Sequence, residues 1–305
     1  MKLTHKALLA ALTDISGIGD ARAYELYNHF NDPEDLLSAP ASLTSKYHYV
    51  DETTLTQIQV LDDEVKGYLN RFNTYESNGI RIIGIKEDRY PEAVRAGPAP
   101  VLLYAKGNVG LLTGDAIGVS GSRETNEAGQ RWIESLSAEL AENGYTLVSG
   151  GARGADTAAH RGALDTDSST IAVLGTGVNV AYPPENQTLF DQIIDTGGLL
   201  ISMRQPDAEP TRHAFLDRNE LTAALSDGMI FVATDGNGGT MAQYEMALDQ
   251  DRPIFVPTSN LDIAPKDGVA TIREADATKS IDTASDLLAT LPTDHAEQKN
   301  LDEWT

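Results

Sequence analysis

Two runs decide the fold: Ile117-Gly-Val-Ser-Gly-Ser-Arg123 and Tyr145-Thr-Leu-Val-Ser-Gly-Gly-Ala-Arg-Gly-Ala-Asp156. Each begins as a short apolar strand and ends in a glycine-rich turn. Between them, Glu127 to Asn143 carries Ile133, Leu136 and Leu140 at helical spacing, and Gly144 follows as the residue that ends the helix. After the second turn, Thr157-Ala-Ala-His160 opens another helix. Strand, turn and helix twice over make the βαβ unit of a parallel sheet. Both turns fall at the carboxyl ends of strands, where open α/β sheets hold their ligands. Gly121 and Ser122 precede Arg123 in the first turn; Gly150, Gly151 and Gly154 surround Arg153 in the second. Free backbone N–H groups at a helix start, with one arginine each, suit an anion, and phosphate foremost. Glycines that merely let strand and helix pack closely are the plain alternative; two such turns, each with an arginine, weigh against it. The spacing is not G-x-G-x-x-G, and no acidic residue follows at the ribose-binding distance, so no nicotinamide or other cofactor is expected.

Downstream the pattern repeats. Thr170-Ile-Ala-Val-Leu174 reads as a third strand, ending in Gly175-Thr-Gly177 and then Tyr182-Pro-Pro-Glu-Asn186. A helix over Gln187 to Ile194 and a strand at Leu199-Leu-Ile201 come next. A polar loop holds Arg212, His213 and Phe215, and a helix around Asn219 to Leu225 precedes the strand Met229-Ile-Phe-Val232. Gly236-Asn-Gly-Gly-Thr240, with Gly238, Gly239 and Thr240, opens the helix Ala242 to Leu248, and Ile254-Phe-Val256 closes the sheet. Four or five βα units in series predict a doubly wound, mainly parallel Rossmann-like α/β sheet. Upstream, residues 1–72 read as a small all-helical domain, with one polar helix over Glu52 to Tyr75. Within it, Ile15-Ser-Gly-Ile-Gly-Asp-Ala-Arg-Ala-Tyr-Glu-Leu26 is similar to a helix-hairpin-helix motif, whose glycines, here Gly17 and Gly19, leave N–H groups for a DNA phosphate. Asp20 stands where a basic residue would help. Strand periodicity starts near residue 73, which sets a second domain at 73–291 and leaves 292–305 as an acidic disordered tail.

Composition narrows the class. The chain has 305 residues, 41% of them hydrophobic, enough for a full core. No apolar run is long enough to span a bilayer and the N-terminus lacks a signal-peptide core, so a cytoplasmic protein with no membrane partner is expected. Zero cysteines exclude disulfides, thiolate metal sites and a cysteine nucleophile; no metal site is expected. The net charge of −23 argues against nucleic acid when taken alone, since DNA affinity comes largely from neutralised phosphates. The acidic residues are scattered, however, and Asp outnumbers Glu, which reads as the solvated surface of a halophile's protein.

From Gly79 to about Leu291 the chain resembles the DNA-processing protein A family, also called Smf. The resemblance rests on Gly79-Ile-Arg-Ile-Ile83, Tyr90-Pro91, Pro100-Val-Leu-Leu-Tyr104, Gly121-Ser-Arg123, Ser149 to Asp156, Ala159-His-Arg-Gly-Ala163, Ile171 to Gly177 and Tyr182 to Asn186. Phe215, Arg218-Asn219, Gly239-Thr240 and Ala247-Leu-Asp-Gln250 complete it. It implies a non-catalytic protein that binds and protects single-stranded DNA, works as a homodimer and helps load a RecA/RadA-type recombinase in recombination or transformation. By the same resemblance Arg123 meets a backbone phosphate, with Gly121 and Ser122 donating beside it. Arg153 contacts phosphate or braces the pocket through Asp156, and Asn186 and Arg218 belong to the pocket. Tyr182 and Phe215 are placed to stack on bases, with Phe215 equally readable as a core residue. Asp156 and Asn219 pin turns, and His160 is a packed core histidine.

Four departures bear on that carry-over. Pro184 follows the Tyr-Pro where some relatives place a basic residue, Glu220 replaces the second arginine of Arg-Asn-Arg, Gly238-Gly-Thr240 replaces Ser-Gly-Ser, and Glu245 stands where an arginine occurs. The C-terminal winged helix of some relatives is not expected here. Two other readings share the turns. Gly238-Gly-Thr240 resembles the loop of nucleoside-monophosphate phosphoribohydrolases, but their catalytic glutamate is Gln243 here, and an amide cannot act as a general base. A sensor of a nucleotide-derived ligand would use the same phosphate-binding turns.

Overall fold

A computed structural model of the chain describes residues 1–97 and 99–291; the stretch 292–305, read above as an acidic tail, lies outside them. The chain divides into two compact units, Met1–Ala105 and a second that begins at Lys106.

The first unit is helical. Leu3–Thr13, Asp20–Tyr27, Ser42–Lys46, Glu52–Gln59 and Asp62–Ser77 pack around Leu8, Leu9, Leu12, Leu26, Ile58 and Phe72. Asp32 and Asp51 cap the helical segments that follow them, accepting the N–H groups of Glu34 and Thr54 at 3.0 and 2.7 Å. The single helix expected over Glu52 to Tyr75 is two, Glu52–Gln59 and Asp62–Ser77, separated at Val60-Leu61, with Val60 exposed and Leu61 in the core at 5% exposure. In the hairpin, Gly17 takes φ +86° and Gly19 caps the helix Asp20–Tyr27. Asp20 is a structural group: its Oδ1 accepts the Val101 N–H at 2.8 Å. Two neighbouring strands, β1 (Ile80–Gly84) and β2 (Leu102–Gly107), complete this part of the chain.

The second unit is the doubly wound sheet predicted from the turns. Its strands are β3 (Ala116–Ser120), β4 (Thr146–Ser149), β5 (Thr170–Val173), β6 (Leu199–Ser202), β7 (Gly228–Phe231), β8 (Ile254–Pro257) and β9 (Thr278–Ile281), all paired in parallel, in the order β6-β5-β4-β3-β7-β8-β9. The register sets Val119 beside Ile230 and Gly118 beside Val148. β3 to β8 are buried on both faces, as helices on both sides of a parallel sheet require. The chain winds outward from β3 to β6, then returns to lay β7 against the free side of β3. That reversal is a switch point, and it opens a crevice at the carboxyl ends of β3 and β7.

The helix between β3 and β4, Glu127–Glu142, starts where Asn126 accepts the Gly129 N–H at 3.0 Å and buries Ile133, Leu136 and Leu140. It ends in a Schellman motif: Gly144, at φ +87°, donates to Ala141 O and Tyr145 donates to Leu140 O. Two expectations need correction. The sheet closes on β9 rather than at Ile254-Phe-Val256; Thr278-Lys-Ser-Ile281 is a polar edge strand with Lys279 and Ser280 exposed, so it lacks an apolar run. And Arg212, His213 and Phe215 lie in a helix, Arg212–Ala224, capped by the Thr211 hydroxyl, which shows hardly any apolar periodicity in its first two turns. Among the described residues no helix is long and apolar enough to cross a membrane.

Candidate functional site

The turns after β3 and β4 are built as one piece. Ser122 donates its N–H to Ala233 O at 2.6 Å, which fixes the turn after β3 to the strand end beyond β7. Its carbonyl accepts the Ala155 N–H at 3.2 Å, the residue that opens the helix Ala155–Leu164. Gly154 lies between, at φ +71°, and any side chain there would run into the carbonyls of Ser122 and Arg123. His160, fully buried, holds the second turn from behind: its Nε2 donates to Gly150 O at 2.8 Å and its Nδ1 faces the Thr170 hydroxyl at 2.9 Å. Burial lowers its pKa, so the imidazole is neutral, as the packed core histidine it was read to be. Asn186, 8% exposed, donates from Nδ2 to Gly151 O at 2.9 Å and pins that turn from the β5 side.

Along the edge so made run two adjoining cavities. The larger, about 630 Å³, lies at the switch point and is lined by Gly121, Ser122, Arg123, Arg218, Gly239 and Thr240, with Gln243, Asp156 and Asn219 in its wall. The smaller, about 250 Å³, is lined by Gly151, Arg153, Gly175 and Tyr182. Arg123, Glu124, Ala152, Phe215 and Arg218 belong to both walls and form the seam. Tyr182 and Phe215 stand together with ring centroids 5.3 Å apart and planes at 42°, and Tyr182 is 40% exposed. Phe215 can lie over the turn after β5 because Gly175 has no Cβ to meet its ring.

The three arginines differ. Arg123 is exposed, and no carboxylate of the described residues reaches ion-pair distance of it. Arg153 is paired with Glu185. Arg218, 11% exposed, sits 3.6 Å from the Asp156 carboxylate, which also accepts the Ala152 N–H at 3.1 Å. Burial lowers the Arg218 pKa and Asp156 opposes that shift. Gly150 leaves room for this pair, since a Cβ there would overlap the Arg218 guanidinium and the Asp156 carboxylate and force them to shift.

Of the residues singled out in the sequence, Gly150 and Gly154 shape the turns from outside the cavity walls. Gly177 packs under the carbonyls of Gln205 and Pro206, and Gly238, at φ +77°, leads into the helix Gly239–Asp249. Gly17 and Gly19 belong to the first unit. Sequence reasoning passed over Thr234, Asp235 and Glu124, which also line the larger cavity. Their signal was position: they directly follow β7 and the Arg123 turn, the two strands that flank the reversal of strand order.

Fold and site together define a doubly wound α/β protein with a glycine-turn groove at its switch point. The family described as DNA recombination-mediator protein A matches residues 81–292. The chain belongs to this family. It is 38% identical over 180 residues to the DNA processing protein DprA of Streptococcus pneumoniae, an alignment that spans 58% of this chain and 63% of that protein. The X-ray structure of DprA from that organism superposes with TM-score 0.64 at 28% identity, covering 90% of this chain and 99% of the other. A structure of DNA processing protein A from Helicobacter pylori, described for its single-stranded-DNA binding mode, superposes with TM-score 0.61 at 29% identity over 69% of this chain and 94% of that one.

Proposed function

We propose that the chain binds single-stranded DNA along the carboxyl edge of β3, β4, β5 and β7 and takes part in DNA processing for recombination or transformation. The observation that carries this reading is Arg123: a cation with no ion-pair partner among the described residues, at the seam of two cavities whose walls also hold the Tyr182–Phe215 pair. A sugar-phosphate strand needs just such an alternation of point charge and aromatic surface. The binding mode described for the Helicobacter pylori relative supports it. Gln243 favours binding over hydrolysis of a glycosidic bond, because its amide accepts from Ser120 at 2.8 Å and carries no group able to transfer a proton. On this reading the bound strand is handed to a RecA/RadA-type recombinase, the working form is a homodimer in the cytoplasm, and the groove itself is non-catalytic.

The test is a gel shift with short dT oligonucleotides at low and high salt, run beside an assay for ribose 5-phosphate release from nucleoside monophosphates. Binding that disappears in Arg123→Ala is the expected result. Base release by the unaltered protein, without DNA binding, would overturn it.

A further inference from the structure

Asparagine precedes glycine three times in the chain, at 78–79, 143–144 and 237–238. Such a pair is chemically fragile. Glycine has no side chain to shield its amide nitrogen, so that nitrogen can reach the side-chain carbonyl of the asparagine before it. The structure separates the three pairs. Asn78 and Asn143 directly follow the helices Asp62–Ser77 and Glu127–Glu142, and the glycine N–H of each pair is engaged: Gly79 donates to Glu76 O at 3.1 Å and Gly144 to Ala141 O at 3.0 Å. The Asn143 amide is held as well, its Nδ2 donating to Glu139 O at 2.7 Å.

Asn237 and Gly238 are exposed and differ on each count. The loop is anchored as far as the Asn237 N–H, which donates to Asp235 Oδ1 at 3.0 Å. Beyond that point neither the Asn237 side chain nor the Gly238 N–H has a hydrogen-bond partner among the described residues, and no atom lies within 4 Å of where a Gly238 Cβ would stand. Gly238 caps the start of the helix Gly239–Asp249, where the helix dipole favours negative charge; Asn78 and Asn143 stand at helix ends of the opposite sign. An amide nitrogen that must lose its proton to react is therefore helped at Gly238 and hindered at Gly79 and Gly144.

We propose that Asn237-Gly238 is a self-modifying site that turns a neutral residue of the larger cavity into a carboxylate. Hydroxide takes the Gly238 amide proton, the nitrogen bonds to Asn237 Cγ, and the Cγ–Nδ2 bond breaks as the nitrogen takes up a proton and leaves as ammonia. One water then opens the cyclic imide at either carbonyl, leaving aspartate at position 237 or its isomer linked through the side chain. Asn237 lines the larger cavity, whose wall already holds Glu124, Asp156 and Asp235 against Arg123 and Arg218. Each conversion lowers the attraction of that wall for anions, and none reverses it.

The full chain is aged at alkaline and at mildly acidic pH, and peptide mapping follows the mass gain of an amide turned acid at each pair. Expected in the folded protein is conversion of Asn237 at least roughly tenfold faster than of Asn78 or Asn143, the effect of one freed hydrogen bond on a barrier, and faster at the higher pH. In urea the three rates should draw together, because the unfolded pairs differ little. Asn237→Gln, which needs a larger ring, should show no gain at that position. Conversion of Asn78 or Asn143 in the folded chain at the rate of Asn237 overturns the proposal, as does an Asn237 that stays intact while the unfolded chain converts. The consequence for binding rests on the single-stranded-DNA reading: aged protein should hold dT oligonucleotides about twofold more weakly at low salt, the difference fading at high salt. Equal affinity at full conversion overturns that consequence, whereas failure of fresh protein to bind any strand refutes the DNA reading and leaves the mass result standing.

Discussion

Arg123, Arg153 and Arg218 look equivalent as letters in a sequence, yet among the described residues Arg153 and Arg218 have carboxylate partners and Arg123 has none. A charged hydrogen bond of this kind contributes about 1.5–3 kcal/mol, so Arg123→Ala should weaken dT binding at least roughly tenfold and leave the melting temperature unchanged. Arg153→Ala should cost less, because Glu185 already holds its guanidinium. Gly150→Ala should behave in the opposite way to Arg123→Ala: its Cβ overlaps Arg218, and chemical denaturation should show about 1–3 kcal/mol of lost stability. His160 gives a pH signature. Burial depresses its pKa in the folded state below the ordinary 6.5, so the unfolded chain takes up the proton first and stability falls as pH drops below that value. The loss from this one group approaches about 1.4 kcal/mol per pH unit, and melts of His160→Gln against the parent should show that part of the slope flattened.

At the scale of elements, the helix Arg212–Ala224 matters most, since it carries Phe215 and Arg218 three residues apart and so on one face. If Tyr182 and Phe215 stack on bases, Tyr182→Ala should weaken binding in high salt by about 1–3 kcal/mol; unchanged affinity there would refute stacking. Gly144→Ala tests the Schellman end of the helix Glu127–Glu142 and should cost about 1 kcal/mol in thermal melts, because φ +87° disfavours a side chain. These elements also show what a sequence reveals. The glycine turns and the fully buried strands were legible, since both write their requirement into local residue types. The start of Arg212–Ala224 was not, because its first two turns face a polar cavity and so lack the apolar period of a core helix. Nor was β9, an edge strand that must stay polar. The unpaired state of Arg123 and the pairing of Arg218 with Asp156 come from residues distant in the chain, and no local pattern encodes them.

For the molecule as a whole, a net charge of −23 and a groove in which, among the described residues, Arg123 alone of the three arginines lacks a carboxylate partner set the salt response expected of the proposed DNA binding. Counterion release gives about 0.7 log units of affinity per phosphate contact per log unit of salt for single strands, so a slope close to that of one contact is expected rather than the steep loss of a basic groove. Anisotropy titrations from low to molar salt measure it; a slope of three contacts or more would mean that Arg153 and Arg218 leave their partners on binding. One further consequence follows from the Ala155 N–H that Ser122 O accepts. Because that bond clamps the loops behind β3 and β4 together, neither can hinge without its neighbour. On the proposed reading, the cleft would meet an incoming strand in its final shape, most of the ordering entropy having been spent during folding. Slow amide exchange at Ala155 in the free protein would be the outward mark of such a ready-made receptor.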